Sequence, residues 1–302
     1  ERMGGAKNIT DPRFLVDHAG DPEFSLVTRS SDGQMLFLAN LIAKMKQDTV
    51  TGSRIAEIHN GSSLFTGDAG QGESNIRRYV IENDLLEAIV ALPLNLFYNT
   101  GIATYIWVLS NRKEERRKGK VQLIDATQWF TPLRKNLGSK NCELSAGNIE
   151  TIMNAFHAFD DADTEVSKIF TNADFGYYKV AVDRPLRLVA AEPGRVYKPA
   201  EIKALKERSE RADDAPAVIK KLHKLGTPSD PIHGLFEAEF GGRTRVVEYE
   251  RDTDLSDSEQ IPLTEAGGDH SSGIEAFIHR EVLPYAPDAW IDKSKTKIGY
   301  AV

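Results

Sequence analysis

A glycine-rich loop is the first feature of this sequence with a spacing that could bind a ligand. Gly67, Gly70 and Gly72 come just before a segment predicted to be a helix. Backbone N–H groups at the beginning of a helix attract anions such as phosphate. The spacing matches neither the Rossmann fingerprint nor the P-loop, and no Lys-Ser or Lys-Thr pair follows. We therefore interpret residues 67–72 as a strand-to-helix connection, and keep an unrelated nucleotide-binding α/β enzyme as an alternative hypothesis.

Two short sequences near the beginning, Asp-Pro-Arg-Phe at residues 11–14 and Asp-Pro-Glu-Phe at residues 21–24, resemble the Asn/Asp-Pro-Pro-Tyr/Phe motif of amino-group methyltransferases. In that motif a side-chain oxygen and a backbone carbonyl accept hydrogen bonds from the target amine, and the aromatic ring stacks on the base. Both sequences lack the second proline, and neither follows an apolar strand. We interpret both as polar turns.

The segment between residues 91 and 109 is the most informative part of the chain. Asn95, Phe97, Tyr98 and Asn99 lie in a loop between two strands that are predicted to be buried. Aromatic side chains at the carboxyl end of a strand in an open α/β sheet can line a ligand-binding crevice. The alternative is that Phe97 and Tyr98 cover the end of the sheet.

Composition and the reactive residue types exclude several kinds of site. Cys142 is the single cysteine, so an intrachain disulfide and a cysteine-rich zinc site are excluded, and the seven histidines form no metal-binding pair. We expect no metal site, and no Gly-x-Ser-x-Gly sequence supports serine hydrolase chemistry. The formal net charge is −7, which is unusual for a freestanding nucleic-acid-binding protein. We expect no membrane-spanning segment and a cytoplasmic location.

The elements that would position these residues alternate between helices and strands, which favours an α/β fold with a mostly parallel sheet and at least one antiparallel strand. The expected elements are a helix over 34–47 capped by Asp32, a strand over 54–59, a helix capped by Ser74, strands over 87–92, 103–109 and 121–125, a helix over 145–159 capped by Ser145, charged helices over 199–226 and a short helix over 273–283. We expect an irregular region at 1–33, the sheet domain at 34–132 and a mostly helical or mixed tail at 133–302. The charged segment 112–120 is expected to be a solvated turn.

Several parts of the chain together resemble the modification (M) subunit of type I restriction–modification systems, a family of N6-adenine DNA methyltransferases. The residues that carry the resemblance are 53–65, 74–81, 92–102, 106–109, 121–126, 145–159, 175–187 and 281–292. The segment 91–109 is the most specific of them, and residues 190–270 are the least similar.

The resemblance implies a Rossmann-like, S-adenosylmethionine-dependent methyltransferase sheet with one antiparallel strand, of which this chain contains the later strands. It implies that the 92–103 loop lies beside a flipped adenine, with Phe97 packing on the base and Tyr98 and Asn99 in the same pocket. The family's glycine-rich cofactor motif and its Asn-Pro-Pro-Tyr/Phe motif are absent. We therefore expect a carboxyl-terminal part of an M subunit that is inactive alone, with no catalytic residue here and the cofactor-binding residues unknown.

The implied partners are DNA and the specificity and restriction subunits of the same system, with docking through the tail after about residue 145. An unpaired sheet edge would also favour self-association. A non-catalytic module that serves only assembly is a second hypothesis. Calorimetry with S-adenosylmethionine would separate it from the methyltransferase.

Overall fold

The computed structural model describes residues 11–30, 33–265 and 270–302. The chain forms two compact units. The first contains Glu1–Gly176 together with Gly299–Val302, and the second contains Tyr177–Ile298. Within the described residues, no helix combines the length and the apolarity needed to cross a membrane.

The first unit contains most of the elements that the sequence predicts. They are β1 (Leu15–His18), β2 (Asp21–Ser25), α1 (Gln34–Ile42), β3 (Arg54–Asn60), α2 (Ser62–Phe65), α3 (Gly72–Glu82), β4 (Leu86–Ala91), β5 (Thr104–Ser110), β6 (Lys120–Asp125), β7 (Thr131–Leu137), β8 (Lys140–Glu143), α4 (Ala146–Ala158) and β9 (Ser167–Thr171). The strands predicted at 54–59, 87–92, 103–109 and 121–125 are confirmed as β3 to β6, each within one residue.

Five strands form one mixed sheet in the order β3-β5-β4-β6-β9. β4 and β6 are parallel, whereas β5 is antiparallel to both β3 and β4, and β9 is antiparallel to β6. The prediction of at least one antiparallel strand is therefore confirmed, but two strands, β5 and β9, run against the other three, whereas the resemblance implied only one. β9 was not predicted, since its sequence Ser-Lys-Ile-Phe-Thr has no apolar run.

The helix α4 covers one face of this sheet. Ser145 caps it as predicted: its hydroxyl accepts the N–H of Asn148 and its N–H donates to the Asn148 side chain. Ile152 packs against a buried cluster that holds the carboxyl ends of β4 and β6 together: Val90, Leu92, Leu96, Ile124, Ala126 and Cys142. Ile149 and Met153 on the same helix are 49% and 44% exposed.

Two predictions near the beginning of the chain need correction. Residues 15–25 form a β-hairpin instead of an irregular region, because Ala19 and Gly20 both have positive φ, as a tight two-residue turn requires. The helix expected over 34–47 ends at Ile42, with Gly33 at its N-cap position. The predicted cap, Asp32, lies outside the described residues.

The second unit is built mainly from short strands. Its elements are β10 (Gly176–Asp183), which begins at the last residue of the first unit, α5 (Pro199–Arg208), β11 (Ile219–Leu222), β12 (Phe236–Phe240), β13 (Arg243–Tyr249), β14 (Asp257–Pro262), α6 (His270–Phe277) and β15 (Trp290–Ile291). The last strand, β16 (Lys297–Tyr300), begins in the second unit and ends in the first. β10 lies between β14 and β15 in one sheet, and β13 lies between β11 and β12 in another.

Of the two forms expected for the tail after residue 133, the structure has the mixed one and not the mostly helical one, because strands outnumber helices in its described part. The charged sequence over 199–226 suggested helices throughout, yet the structure has α5 and then the strand β11. β12 and β13 form a hairpin around Gly241 and Gly242, which both have positive φ. Charge density concealed the alternating pattern of β12, in which exposed glutamates alternate with half-buried apolar side chains.

Candidate functional site

The loop 92–103 lies at the carboxyl end of β4, where the sheet predicts a ligand-binding crevice. It connects β4 to the antiparallel β5, whose first residue Thr104 pairs with Asn60, the last residue of β3. The loop therefore lies at the sheet end where β3, β4 and β6 all terminate. Asn95 and Asn99 have positive φ, a conformation that asparagine adopts more readily than most residues.

The three predicted base-pocket residues occupy one exposed stretch of this loop. Phe97 is half-buried and packs against the cluster that contains Leu96 and Ile124. Tyr98 is 67% exposed, and Asn99 is exposed. The ring of Phe97 is thus fixed by the core while its two neighbours face solvent. Their role in binding a base stays a prediction.

A hairpin that the sequence analysis missed packs on this loop. It consists of β7, β8 and their connection, and we call it the β7–β8 hairpin. Lys140 Nζ donates to the carbonyl of Leu96 at 2.9 Å, and Cys142 Sγ donates to the carbonyl of Leu94 at 3.3 Å. The backbone N–H of Asn141 donates to the carbonyl of Asn95 at 3.2 Å. The sequence signal for it is Gly138-Ser139 between two extended segments, which is typical of a two-residue turn.

An open cleft of about 820 Å³ lies between the 92–103 loop and the β7–β8 hairpin. Leu94 lines the cleft, and four amide side chains and one aromatic ring line it as well. These are Asn95, Gln128, Asn136, Asn141 and Phe130. No charged side chain lines it. Amide groups beside a ring can hydrogen-bond and stack on a flat, polar ligand such as a nucleobase.

The side chain of Glu73 occupies the space beside the glycine-rich loop 67–72. Gly67, Gly70 and Gly72 have positive φ, and a Cβ atom on Gly67 would lie 2.9 Å from Oε2 of Glu73. Glu73 is 2% exposed, and Arg29 Nε lies 3.0 Å from its other carboxylate oxygen. A buried carboxylate at the beginning of a helix competes with any phosphate for the same backbone groups. This arrangement argues against nucleotide binding at the loop.

Ser74 does not cap α3. The helix begins at Gly72, with Gln71 at its N-cap position, and Ser74 is buried inside the first turn. Its hydroxyl accepts a hydrogen bond from the backbone N–H of Tyr300 at 3.1 Å. The neighbouring Arg77 is completely buried and donates to the carbonyls of Ser63, Thr66 and Tyr300. This turn of α3 therefore holds the end of the chain against the first unit.

Most of the charged segment 112–120 is exposed, as expected for a solvated turn, but two of its charged side chains are buried. Arg117 is 1% exposed, and its guanidinium lies 4.1 Å from the ring centre of Phe156 and 4.3 Å from that of Phe159. Burial lowers the pKa of Arg117, and the nearby Glu87 carboxylate counteracts this. Lys113 is also buried and donates to Asp84 at 2.6 Å, while desolvation lowers its pKa. These two charged side chains therefore make their contacts inside the first unit and are not available to bind a partner.

No group of three or more His, Cys, Asp or Glu residues is arranged to hold a metal ion in the described part of the chain. Cys142 is a free, buried thiol, and burial raises its pKa. The site therefore offers stacking rings and amide hydrogen bonds as its chemistry.

Comparison of the sequence with known proteins identifies the family of this chain. The sequence model of the family described as N-6 DNA methylase matches residues 7–180. The MjaIX methylase subunit of a type I restriction enzyme from Methanocaldococcus jannaschii is 35% identical over 37% of this chain and 19% of that protein. The MpnII methylase subunit from Mycoplasma pneumoniae is 36% identical over 50% of this chain and 27% of that protein. The chain therefore spans about a fifth to a quarter of the length of these curated relatives.

Among solved structures, the methyltransferase subunit of a type I restriction–modification system from Streptococcus thermophilus is 25% identical, with a TM-score of 0.44 over 54% of this chain and 30% of that chain. The family match covers more than half of the present sequence and includes the whole five-stranded sheet. The resemblance to type I modification subunits is thereby confirmed, and the chain belongs to the N-6 DNA methylase family.

Proposed function

We propose that this chain is part of a type I modification subunit that transfers a methyl group from S-adenosylmethionine to N6 of adenine in DNA. The observation that carries the proposal is the position of Phe97, Tyr98 and Asn99 on one exposed loop at the carboxyl end of β4. Family membership supplies the reaction class. DNA and the specificity and restriction subunits are the proposed partners, and the cytoplasm is the proposed location.

The loop would act on a base that has left the double helix. A flipped adenine needs a stacking surface and polar groups at its edge. Phe97, held by the core, would supply the surface, and base stacking on an aromatic ring contributes about 1–3 kcal/mol. Asn99 carries an amide, the side-chain type that pairs best with the adenine edge. Correct placement of the amine is the loop's contribution to the rate.

The glycine-rich loop 67–72 does not support a seat for S-adenosylmethionine. The glycine loop 67–72 lacks the nucleotide-binding spacing, and the buried carboxylate of Glu73 fills it. A second carboxylate, that of the methyl donor, would be repelled there. We therefore assign no residue of this chain to the cofactor and propose that the fragment alone is inactive.

The substitution Phe97→Ala in the full-length subunit, assembled with its partners, tests the role of the loop. We expect slower methylation of DNA and nearly unchanged affinity for S-adenosylmethionine, because stacking is lost while the donor's seat is untouched. Phe37→Ala is the matched control, since Phe37 is 64% exposed on α1. Equal rates for the two variants would show that Phe97 only covers the sheet end.

A non-catalytic role in assembly is the second candidate, and the exposed Ile149 and Met153 of α4 favour it. Calorimetry with S-adenosylmethionine on this chain and on a version extended upstream separates the two functions. Binding by the extended version alone supports the methyltransferase. If neither version binds the donor, the assembly role becomes the better explanation.

A further inference from the structure

We propose that the cleft between the 92–103 loop and the β7–β8 hairpin binds a second, unpaired nucleotide of the DNA strand, next to the proposed target base. The identification of the ligand as DNA rests on the proposed function. The cleft and its binding groups are features of the structure alone.

The base would occupy the uncharged interior of the cleft. Phe130 is 40% exposed at its wall, which leaves a ring face available for stacking. Asn95, Gln128 and Asn136 provide amide donors and acceptors around it. Asn and Gln are the side chains that match the donor and acceptor pattern of adenine. The volume of about 820 Å³ is in the range of small-ligand sites.

The phosphate backbone would follow the exposed side of the β7–β8 hairpin. Arg134 and Lys135 of β7 are exposed, and neither has a carboxylate partner within the described residues. The hairpin carries Arg134, Lys135 and Lys140 against Glu143, a local net charge of 3 − 1 = +2 in a chain of −7. Residues 92–111 contain no charged side chain. A strand lying here therefore meets cations and no repelling carboxylate from the loop.

The hairpin and the loop are joined closely enough to act as one surface. The bonds from Lys140, Asn141 and Cys142 all end on carbonyls of the loop. Lys140 is occupied by this contact, which leaves Arg134 and Lys135 for phosphate. Adjacent nucleotides would thus bind to the loop and to the cleft in a fixed arrangement, and less ordering would be needed when DNA arrives.

Fluorescence anisotropy with the 302-residue chain tests the proposal. The probes are a short single-stranded adenine oligonucleotide and an abasic sugar–phosphate strand of the same length. We expect Phe130→Ala to weaken binding of the oligonucleotide about 5- to 100-fold and to leave binding of the abasic strand unchanged, because stacking needs a base. Phe37→Ala is the control for loss of an exposed ring. Phe130→Leu keeps an apolar side chain there and should also weaken binding if the ring stacks.

The double variant Arg134→Ala/Lys135→Ala tests the phosphate contacts. We expect weaker binding of both probes and a salt dependence whose logarithmic slope is smaller by about 1.4, about 0.7 for each lost contact. Lys44→Ala/Lys46→Ala removes two exposed charges near Ser53, at the opposite end of the sheet, and should change neither.

Each result decides the proposal. No binding of the oligonucleotide by the unmodified chain, or equal effects of the cleft variants and their controls, would overturn it. In that case a methylation rate that still falls with Phe97→Ala in the full-length subunit would leave the proposed function standing.

Discussion

Arg117 shows how a single charged side chain can belong to the core. Its guanidinium lies between the rings of Phe156 and Phe159, donates to Gln122 Oε1 at 3.1 Å and to the carbonyl of Phe156, and lies 3.6 Å from Glu87. The Glu87 carboxylate is completely buried. The planar guanidinium can stack and donate at once, which an ammonium group cannot do.

Replacing Arg117 by methionine should lower the free energy of unfolding by about 3 kcal/mol, because the buried Glu87 loses a close positive charge and the Gln122 amide loses a donor. Urea denaturation measures the change. The neighbouring Arg116 has 42% of its side chain exposed, so Arg116→Met should cost less than about 1 kcal/mol. Equal losses for the two variants would contradict an interior role for Arg117.

Asp288 should make the stability of the second unit depend on pH. Burial raises the pKa of this carboxyl, but hydrogen bonds from Arg184 at 3.0 Å and Arg187 at 3.1 Å outweigh it and place the pKa below its ordinary value of 3.8. A lowered pKa stabilises the fold above pH 4 and the effect disappears as pH falls through the folded-state value.

The substitution Asp288→Asn should therefore reduce stability by roughly 1 kcal/mol at neutral pH and by less in acid, where both proteins carry a neutral side chain. Thermal unfolding at several pH values measures the difference. Asp214→Asn, at an exposed aspartate without an ion-pair partner among the described residues, is the control. A difference that stays constant down to pH 2 would rule out the linkage.

At the scale of elements, two glycine-to-alanine substitutions can measure how tightly the β7–β8 hairpin packs on the 92–103 loop. Gly138 has φ +61°, and a Cβ atom there would lie 2.5 Å from Oδ1 of Asn99 and 3.2 Å from the ring of Tyr98. Gly119 has φ +68° with nothing within 4 Å. An alanine would have a strained backbone at either position, but only at Gly138 would its Cβ atom also contact the 92–103 loop.

Gly119→Ala should cost about 1–2 kcal/mol from backbone strain alone. Gly138→Ala should cost more, because Asn99 or the hairpin must move as well. Denaturant titrations of the two variants give the difference. Equal losses of unfolding free energy in the two variants would show that the hairpin and the loop can move apart at little cost. The shared surface that we propose would then not be rigid.

Elements were predictable from sequence where one residue pattern determined them. β4 and β5 are mostly apolar and largely buried, and Ser145 and Asn148 have the residue types of a helix cap at the beginning of α4. β7 has six exposed residues of seven, so no apolar period marks it. The β12–β13 hairpin of the second unit mixes charged and apolar residues, and its position depends on a glycine turn and on the pairing of β13 with β11.

The candidate site was predictable only in part for the same reason. Phe97, Tyr98 and Asn99 were found because they follow a recognisable buried strand. Phe130 and Asn136 line the cleft beside Leu94 and Asn95 through tertiary packing, which sequence spacing does not encode. Arg117 stands among other charged residues at 112–120, and its burial depends on two rings of α4 and its end about 40 positions later in the chain.

For the molecule as a whole, the five-stranded sheet has an accessible edge at β3. Within the described residues, β3 pairs with β5 on one side, and Ile58 on it is 50% exposed. An unpaired strand edge favours association with another strand. This edge is the place where we expect the proposed self-association.

Ile58→Lys should therefore reduce concentration-dependent association, because a charged side chain at an edge opposes strand pairing. Light scattering during size-exclusion chromatography measures the mass. Val50 is 99% exposed in the turn before β3 and is not part of the strand, so Val50→Lys should leave the mass unchanged. A protein that is monomeric at all concentrations before substitution would remove the basis for this prediction.

The buried thiol of Cys142 on β8 can report motion of the β7–β8 hairpin. Since Cys142 is the single cysteine and its Sγ is bound to the carbonyl of Leu94, a disulfide reagent reaches it when the hairpin lifts from the loop. The labelling rate then counts opening events directly. Slower labelling in the presence of an oligonucleotide would show that the thiol is less accessible when the cleft is occupied. The measurement needs no added dye and no engineered residue.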